Sequence, residues 1–287
     1  MGNNELYVPL LILDGLTEVL RAEGKLAEAS ALAQKGIARS EQALSDKLAS
    51  QPARPDLLRF RASLRGRMGH WREAAADLSK VVQLRPDDHQ PFPNLAAALV
   101  ELGDLEAYRR LCAQIRERFE GTDSPGIASG LAVACLIVPS PEPADVVTGS
   151  LLADMGLKFC KGDRGLASRQ RCKALAEYRQ GRFSSASEWA SKALSQPEYI
   201  SERLASGNAH CSRVEASMVL AMSNYQLHHP DEARAVLVRG LEIADKKLPK
   251  FESGDLGSYW GDWIFAQVLM REAKALIEGG SKTGDDK

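Results

Sequence analysis

A chain of 287 residues with 44% hydrophobic and 26% charged side chains is too apolar to stay disordered, and it can hold one elongated repeat domain or two ordinary globular ones. Thirty-seven basic against thirty-eight acidic residues leave a net charge of −1, so the basic excess of a dedicated nucleic-acid binder is missing. The five cysteines (Cys112, Cys135, Cys160, Cys172 and Cys211) form no CxxC pair, which argues against a zinc ribbon or a disulfide framework and for reduced thiols in a core.

In chain order, Met1–Glu5 lacks the basic residues of a signal peptide, and the apolar run Leu6–Leu13 is broken by Pro9 and too short to span a membrane. A cytoplasmic protein without membrane contact is expected. Five segments then repeat one pattern: an apolar-periodic stretch, a turn centred on Gly or His, and a second stretch rich in Ala. The turns are Glu23-Gly24-Lys25-Leu26, Met68-Gly69-His70-Trp71, Leu102-Gly103-Asp104-Leu105, Gln180-Gly181-Arg182-Phe183 and Leu227-His228-His229-Pro230. Three residues past four of these turns stands an alanine (Ala29, Ala74, Ala186 and Ala233), whereas the third turn has Tyr108 there. About twelve positions earlier stand Thr17, Ala62, Ala96, Ala174 and Ala221; seven positions later stand Gly36, Val81, Ile115, Ala193 and Gly240. Small residues at these places let two antiparallel helices approach closely, so each segment is expected to be a helix hairpin. Tyr108 is expected to push its two helices apart or shift their register.

Successive turns are 45, 34, 78 and 47 residues apart, and the 78-residue gap has room for an extra pair. That pair is expected over Ser124–Val138 and Ala144–Lys158, joined through Pro139–Pro143 and without the small-residue marks, as a degenerate repeat over about 124–160. Irregular connections are expected near 47–54, 159–166 and 196–210. A loop rich in Gly, Ser and aromatic residues, Pro249–Gly261, leads to an amphipathic helix over Asp262–Glu278 that would cover the last repeat. Residues 281–287 form a polar tail, expected to be disordered, so residues 1–280 are expected to be a single repeat domain. No alternation of strand type stands out.

The pattern resembles tetratricopeptide repeat (TPR) proteins, most clearly over Pro55–Pro86, where Leu58, Ala62, Gly69, Trp71, Ala74, Leu78 and Pro86 occupy the family's positions. The resemblance implies an all-α, right-handed solenoid of about six helix pairs with a C-terminal capping helix. A narrower set of phrases resembles TPR segments C-terminal to serine/threonine protein kinase domains in planctomycete-like bacteria. These are Gly103-Asp104, Tyr108–Cys112, Arg118-Phe119, Ala134–Leu136, Tyr178–Phe183, Trp263 and Arg271–Ala273. They imply a bacterial signalling context, although no Gly-rich loop, HRD or DFG of a kinase is present.

Motifs that carry chemistry are missing. There is no GxxxxGK[ST] loop, GxSxG elbow or HExxH pair, and the adjacent His210-Cys211 point about 100° apart on a helix, a poor arrangement for chelating one ion. No catalytic residue, cofactor or metal is expected, and the chain is expected not to be an enzyme. Trp71 is expected in the core, while Trp260 and Trp263 are expected to pack the terminal helix, with a partner pocket as the alternative.

In TPR arrays the first helix of each pair lines the concave groove. Carried over position by position, this implies a partner-binding groove of Arg59, Ser63, Arg67, Asn94, Arg171, Tyr178, Arg179, Met218, Met222 and Tyr225. Glu18, Arg21, Ala97, Glu101 and Leu175 are further outward positions. Arg59, Ser63 and Arg67 are spaced i, i+4, i+8, which puts both guanidinium groups on one face, where they could pair with carboxylates. Tyr178, Met218, Met222 and Tyr225 are expected to form an adaptable apolar patch. The resulting expectation is a scaffold or adaptor holding a protein or peptide, with an acidic segment as the favoured ligand, and no nucleic acid. The alternative is a regulatory sensor binding a small ligand or signal peptide in the same groove.

Overall fold

The structure is a computed structural model that describes residues 16, 20, 25–140, 142–158, 165–197 and 207–279. The turn at Glu23-Gly24, Thr17, Glu18, Arg21, Cys160, most of the connections near 159–166 and 196–210, and the tail 281–287 lie outside the described residues.

Twelve α-helices and no strand are found among the described residues: α1 Leu26–Ser50, α2 Pro55–Arg67, α3 Trp71–Leu84, α4 Pro91–Glu101, α5 Leu105–Phe119, α6 Pro125–Leu136, α7 Pro143–Leu157, α8 Leu166–Arg179, α9 Phe183–Leu194, α10 Gly207–Gln226, α11 Pro230–Lys247 and α12 Trp260–Gly279, with a single 3-10 turn at Phe251–Ser253. Proline opens α2, α6, α7 and α11, where its missing N–H and fixed φ suit a first helical turn. Asp104 caps α5 by accepting the Ala107 N–H at 3.0 Å.

All four fully described turns adopt one geometry. Gly69, Gly103, Gly181 and His228 sit in the left-handed region, at φ of +79°, +71°, +74° and +64°. The residue after each then donates its N–H to the carbonyl five residues back: His70 to Arg65, Asp104 to Leu99, Arg182 to Glu177 and His229 to Asn224, at 2.8–3.0 Å. This is the closure of a helix C-terminus through an αL residue, and it reverses the chain within two residues. The turn residues therefore determine the all-α architecture of helix hairpins directly.

Small residues do the packing. Ala29, Ala62, Ala74, Ala96, Ala174, Ala186, Ala193, Ala221 and Ala233 are all fully buried. Gly240 on α11 is one of these close approaches: a Cβ there would lie 2.3 Å from the Met218 methyl on α10. Tyr108, the exception, is accommodated inside at 1% exposure, beside the small thiols of Cys112 and Cys135.

The fourth pair, α6 and α7, exists, and it does have close-approach residues. A Cβ on Gly149 would lie 2.5 Å from Leu136 Cγ, and one on Gly156 would lie 2.3 Å from Ser129 Oγ. These two glycines keep the seven-residue spacing of the regular pairs but in a shifted register, which is why the expected positions were blank. The 45-residue interval between the first two turns also has a simple cause: α1 runs for 25 residues, and only four residues separate it from α2.

The chain forms two compact units. Unit 1 takes the described residues up to Pro91 together with Pro249–Trp260. Its core joins Ala33, Ile37, Leu44 and Leu48 of α1 to Leu57, Leu58 and Leu64 of α2 and Val81 of α3. Unit 2 takes Phe92–Leu248 and the described residues from Gly261 onward. Within it α6 packs on α7, α8 on α9 and α10 on α11, the helices α5, α7 and α9 each pack on the next helix, and α6, α8 and α10 lie side by side. Neighbour-to-neighbour packing of this kind is what a helical repeat needs to bury faces that no single hairpin can cover.

Candidate functional site

In unit 1 the arginines of α2 divide between two faces. Arg61 and Arg65 point into the hairpin and α1. Arg61 Nη2 lies 2.7 Å from Asp77 Oδ1, Arg65 Nη1 lies 2.9 Å from Asp77 Oδ2, and Arg65 Nε lies 2.9 Å from Glu41 Oε1. Arg59, Ser63 and Arg67 take no part in that pairing. Arg59 remains more than one-third exposed and reaches Asp88 and Gln90. Ser63 is half-buried.

Arg67 is deeply buried, because the chain's own stretch Pro249–Trp260 lies on it. Arg67 Nε and Nη2 meet the two oxygens of Asp255 at 2.9 and 3.0 Å, with the side chains 6% and 1% exposed. Such a bidentate pair is the geometry that offsets the desolvation of both charges. Leu256 donates its N–H to the Arg67 carbonyl at 2.9 Å, and the Ser30 hydroxyl and Gln34 amide donate to the Ser253 carbonyl. Trp260 is fully buried over Gly66, where a Cβ would stand 2.1 Å from its ring, and stacks on Trp71 with centroids 5.8 Å apart. Trp71, expected in the core, is half-buried even with Phe251 and Trp260 of this stretch against it.

In unit 2 the expected groove residues are likewise met by the chain itself, here by α12. Arg179 Nη2 lies 2.7 Å from Glu272 of α12, and the same guanidinium donates to the Leu136 and Ile137 carbonyls at the end of α6, at 2.8 and 2.9 Å. Arg271 of α12 pairs with Glu101 of α4 at 2.8 Å, and Asn94 abuts Gly261. Tyr178 is half-buried against Phe183, and burial raises its hydroxyl pKa. Tyr225 is half-buried as well.

Met218 and Met222 correct the expected apolar patch: both are 0% exposed and pack within unit 2, Met218 filling the space left by Gly240. Their i, i+4 spacing marks a helix face, but that face is buried, with Met218 against the hairpin partner α11, rather than turned outward.

Arg171 joins a buried polar cluster. It pairs with Glu215 of α10, which is 0% exposed, near Asp262 of α12, which accepts from Asn208 at 2.6 Å. Two carboxylates share one guanidinium. Burial pushes Glu215 up to about 7, against the pull of Arg171 and helped by the like charge of Asp262. Glu215 Oε1 and the Ser212 hydroxyl have no hydrogen-bond partner among the described residues. Burial also raises the thiol pKa of Cys172 and Cys211, as expected of core cysteines.

The acidic residues that complete these contacts (Asp255, Asp262, Glu272 and Glu215) were not singled out from the sequence. The available signal was a carboxylate inside an apolar stretch, as in Val214-Glu215-Ala216, which demands a buried cation somewhere without saying which one.

Elsewhere in unit 2 a groove of about 570 Å³ runs between α9 and α11 over α10, lined by Ser184, Ser187, Ser191, His229, Glu232 and Arg239 among others. No cluster of three or more His, Cys, Asp or Glu placed to hold a metal is found among the described residues. No helix among them is long and apolar enough to cross a membrane.

No protein-family model matches the chain, and no curated protein matches it in sequence. Among solved structures it is similar to yeast Tom70, at 14% identity and a TM-score of 0.43, over 90% of this chain and 48% of that one. It is also similar to the APC/C hetero-tetramer Cut9–Hcn1, at 15% identity and 0.48, over 95% and 46%. A third is a tetratricopeptide repeat protein from Parabacteroides merdae, at 13% identity and 0.44, over 97% and 94%. The chain spans about half the length of the first two.

Proposed function

We propose that this chain is a non-catalytic scaffold that holds an acidic protein segment on the faces formed by its first helices. The observation that carries this reading is what already lies there. In each unit the chain's own C-terminal stretch engages an arginine of a first helix through a carboxylate, Arg67 with Asp255 and Arg179 with Glu272. The faces are thus chemically suited to carboxylate-bearing segments, and Arg59, still partly exposed beside them, extends that character outward. The narrower resemblance in sequence makes a bacterial kinase-signalling system in the cytoplasm the setting in which to seek the partner.

The test is binding of labelled acidic, neutral and basic peptides to the full chain, measured by fluorescence anisotropy at two salt concentrations. Acidic peptides should bind best and weaken with salt, and Arg59→Glu should lower their affinity by about tenfold, the size expected for a charge-assisted contact turned repulsive. Equal affinity for the three classes, unchanged by Arg59→Glu, would defeat the reading.

A further inference from the structure

We propose that Pro249–Trp260 is a resident pseudo-ligand of the α2 face in unit 1, displaced by an external acidic–aromatic segment that offers a carboxylate to Arg67 and an aromatic ring to the slot over Gly66. This rests on the scaffold reading and gives that scaffold both a ligand motif and an intramolecular competitor.

The stretch is held as a bound peptide is held. Apart from Trp260, which opens α12, its regular structure is a single 3-10 turn, and its buried side chains are Asp255, Leu256 and Trp260, with Asp255 and Trp260 as the anchors. Around the anchors Lys250, Phe251, Glu252, Ser258 and Tyr259 are exposed, while Leu256 is buried. Phe251 adds a tilted ring contact with Trp71, and further contacts address the main chain: the Ser253 carbonyl accepts from Ser30 and Gln34, and the Leu256 N–H donates to the Arg67 carbonyl. Main-chain contacts can be made by another sequence in the same place, while the two anchors supply selectivity. The guanidinium fork selects a carboxylate. The slot exists because residue 66 is glycine, and a flat ring fills it.

The resident is also an imperfect occupant. Trp260 Nε1 is buried and has no hydrogen-bond acceptor among the described residues. An orphaned donor weakens the seated state relative to a ring without one, or to a segment that brings its own acceptor. A tethered segment can hold its site despite such a defect, because its effective concentration is on the order of millimolar. A free segment of better fit then competes, and the outcome is set by its concentration.

The probe is a fluorescein-labelled synthetic peptide of residues 250–261 carrying phenylalanine in place of Trp260. It is titrated into the wild-type chain, into Asp255→Asn, which loosens the resident, and into Asp255→Asn combined with Gly66→Ala, which closes the slot. Asp255→Asn should bind about tenfold or more tightly than wild type, since the intramolecular competitor is weakened. Adding Gly66→Ala should abolish that gain, and a probe with arginine at the Asp255 position should bind none of the three. Because Asp255→Asn touches a buried pair, a second measurement uses the unaltered chain. Hydrogen exchange at the Leu256 and Gly257 amides, bonded to the Arg67 carbonyl and the Asp255 carboxylate, should accelerate at saturating probe.

A folded Asp255→Asn chain that binds no better than wild type, or bound probe with unchanged Leu256 protection, overturns the proposal. Acidic peptides that bind in an Arg59-dependent way while Leu256 stays protected would remove the displaceable stretch and leave the scaffold standing. Failure of every acidic peptide to bind either wild type or Asp255→Asn would remove both.

Discussion

The two units cover their first-helix faces by opposite means. In unit 1 the cover is an irregular twelve-residue stretch fixed at a few points, with one buried carboxylate matched to one buried guanidinium. In unit 2 it is a long helix, α12, whose Ile264, Phe265, Leu269, Ala273 and Ile277 are buried and whose Asp262 brings a second carboxylate to a site with one arginine. A cover that is anchored at points can leave without dismantling what lies beneath it, whereas a cover that supplies half of a core cannot. Charge matching follows the same division: in unit 1 one carboxylate meets one guanidinium, whereas in unit 2 Glu215 and Asp262 lie near the single Arg171.

Deleting an apolar side chain from each cover should show this division at its largest. Leu269→Ala on α12 removes a side chain with no exposure and should cost about 2–5 kcal/mol in urea unfolding, as buried leucines do when a cavity is left behind. Phe251→Ala in the unit 1 stretch removes a ring that is 52% exposed and should cost less than about 1 kcal/mol. Comparable losses from the two would mean that the stretch is as integral as the helix.

The crowded carboxylates of unit 2 predict a pH dependence of stability through Glu215. The folded-state pKa of Glu215 is raised from the ordinary 4.5 to about 7, so between these values the folded chain keeps a proton that the unfolded chain has lost. Its contribution to stability is therefore fully present below pH 4.5, falls as pH rises, and is gone above about 7, a change of about 3 kcal/mol at ~1.4 kcal/mol per unit. Glu177 works in the opposite sense. Arg182 and Lys173 hold it down at about 2, so its stabilisation is present above pH 4.5 and is lost as pH falls towards 2. Unfolding free energies measured at pH 5, 6 and 7.5 should decline for wild type and flatten for Glu215→Gln. A decline that survives this substitution would assign the proton to another group.

Much of this was legible in the sequence because turn chemistry and helix packing are local rules. Gly69, Gly103, Gly181 and His228 announced the reversals, and the buried alanines announced the hairpins. The 3.6-residue period put Arg59, Ser63 and Arg67 on one helix face as an expectation. What could not be read was what faces that side. Arg67 and Asp255 are 188 residues apart, and nothing local to either names the other. The small-residue marks of the fourth pair were hidden for a related reason: Gly149 and Gly156 obey the spacing rule, but their register is fixed by Leu136 and Ser129 on the facing helix. Gly149→Ala should therefore cost about 1–3 kcal/mol in thermal unfolding despite the better helix propensity of alanine, because the new methyl overlaps Leu136. A neutral result would mean that Leu136 turns aside freely.

The smallest predicted effect distinguishes the turns themselves. Gly181 and His228 close equivalent hairpins of unit 2 with the same left-handed backbone, at φ of +74° and +64°, and a Cβ on Gly181 would meet nothing within 4 Å. At Gly181 the backbone is the sole issue, so Gly181→Ala should destabilise by about 1 kcal/mol, the penalty of an L side chain in that region. The exposed His228 already bears this strain, and His228→Gly should recover part of it. The gain should stay below about 1 kcal/mol, because glycine also widens the unfolded ensemble. In unit 1 the same turn is not equivalent: a Cβ on Gly69 would stand 2.9 Å from the Phe251 ring, so Gly69→Ala adds a clash with the anchored stretch to the same backbone cost. Combining Gly69→Ala with Phe251→Ala should bring its penalty down to that of Gly181→Ala. If the penalty persists, the excess at Gly69 comes from its own hairpin, and the Pro249–Trp260 stretch lies on that turn without pressing on it.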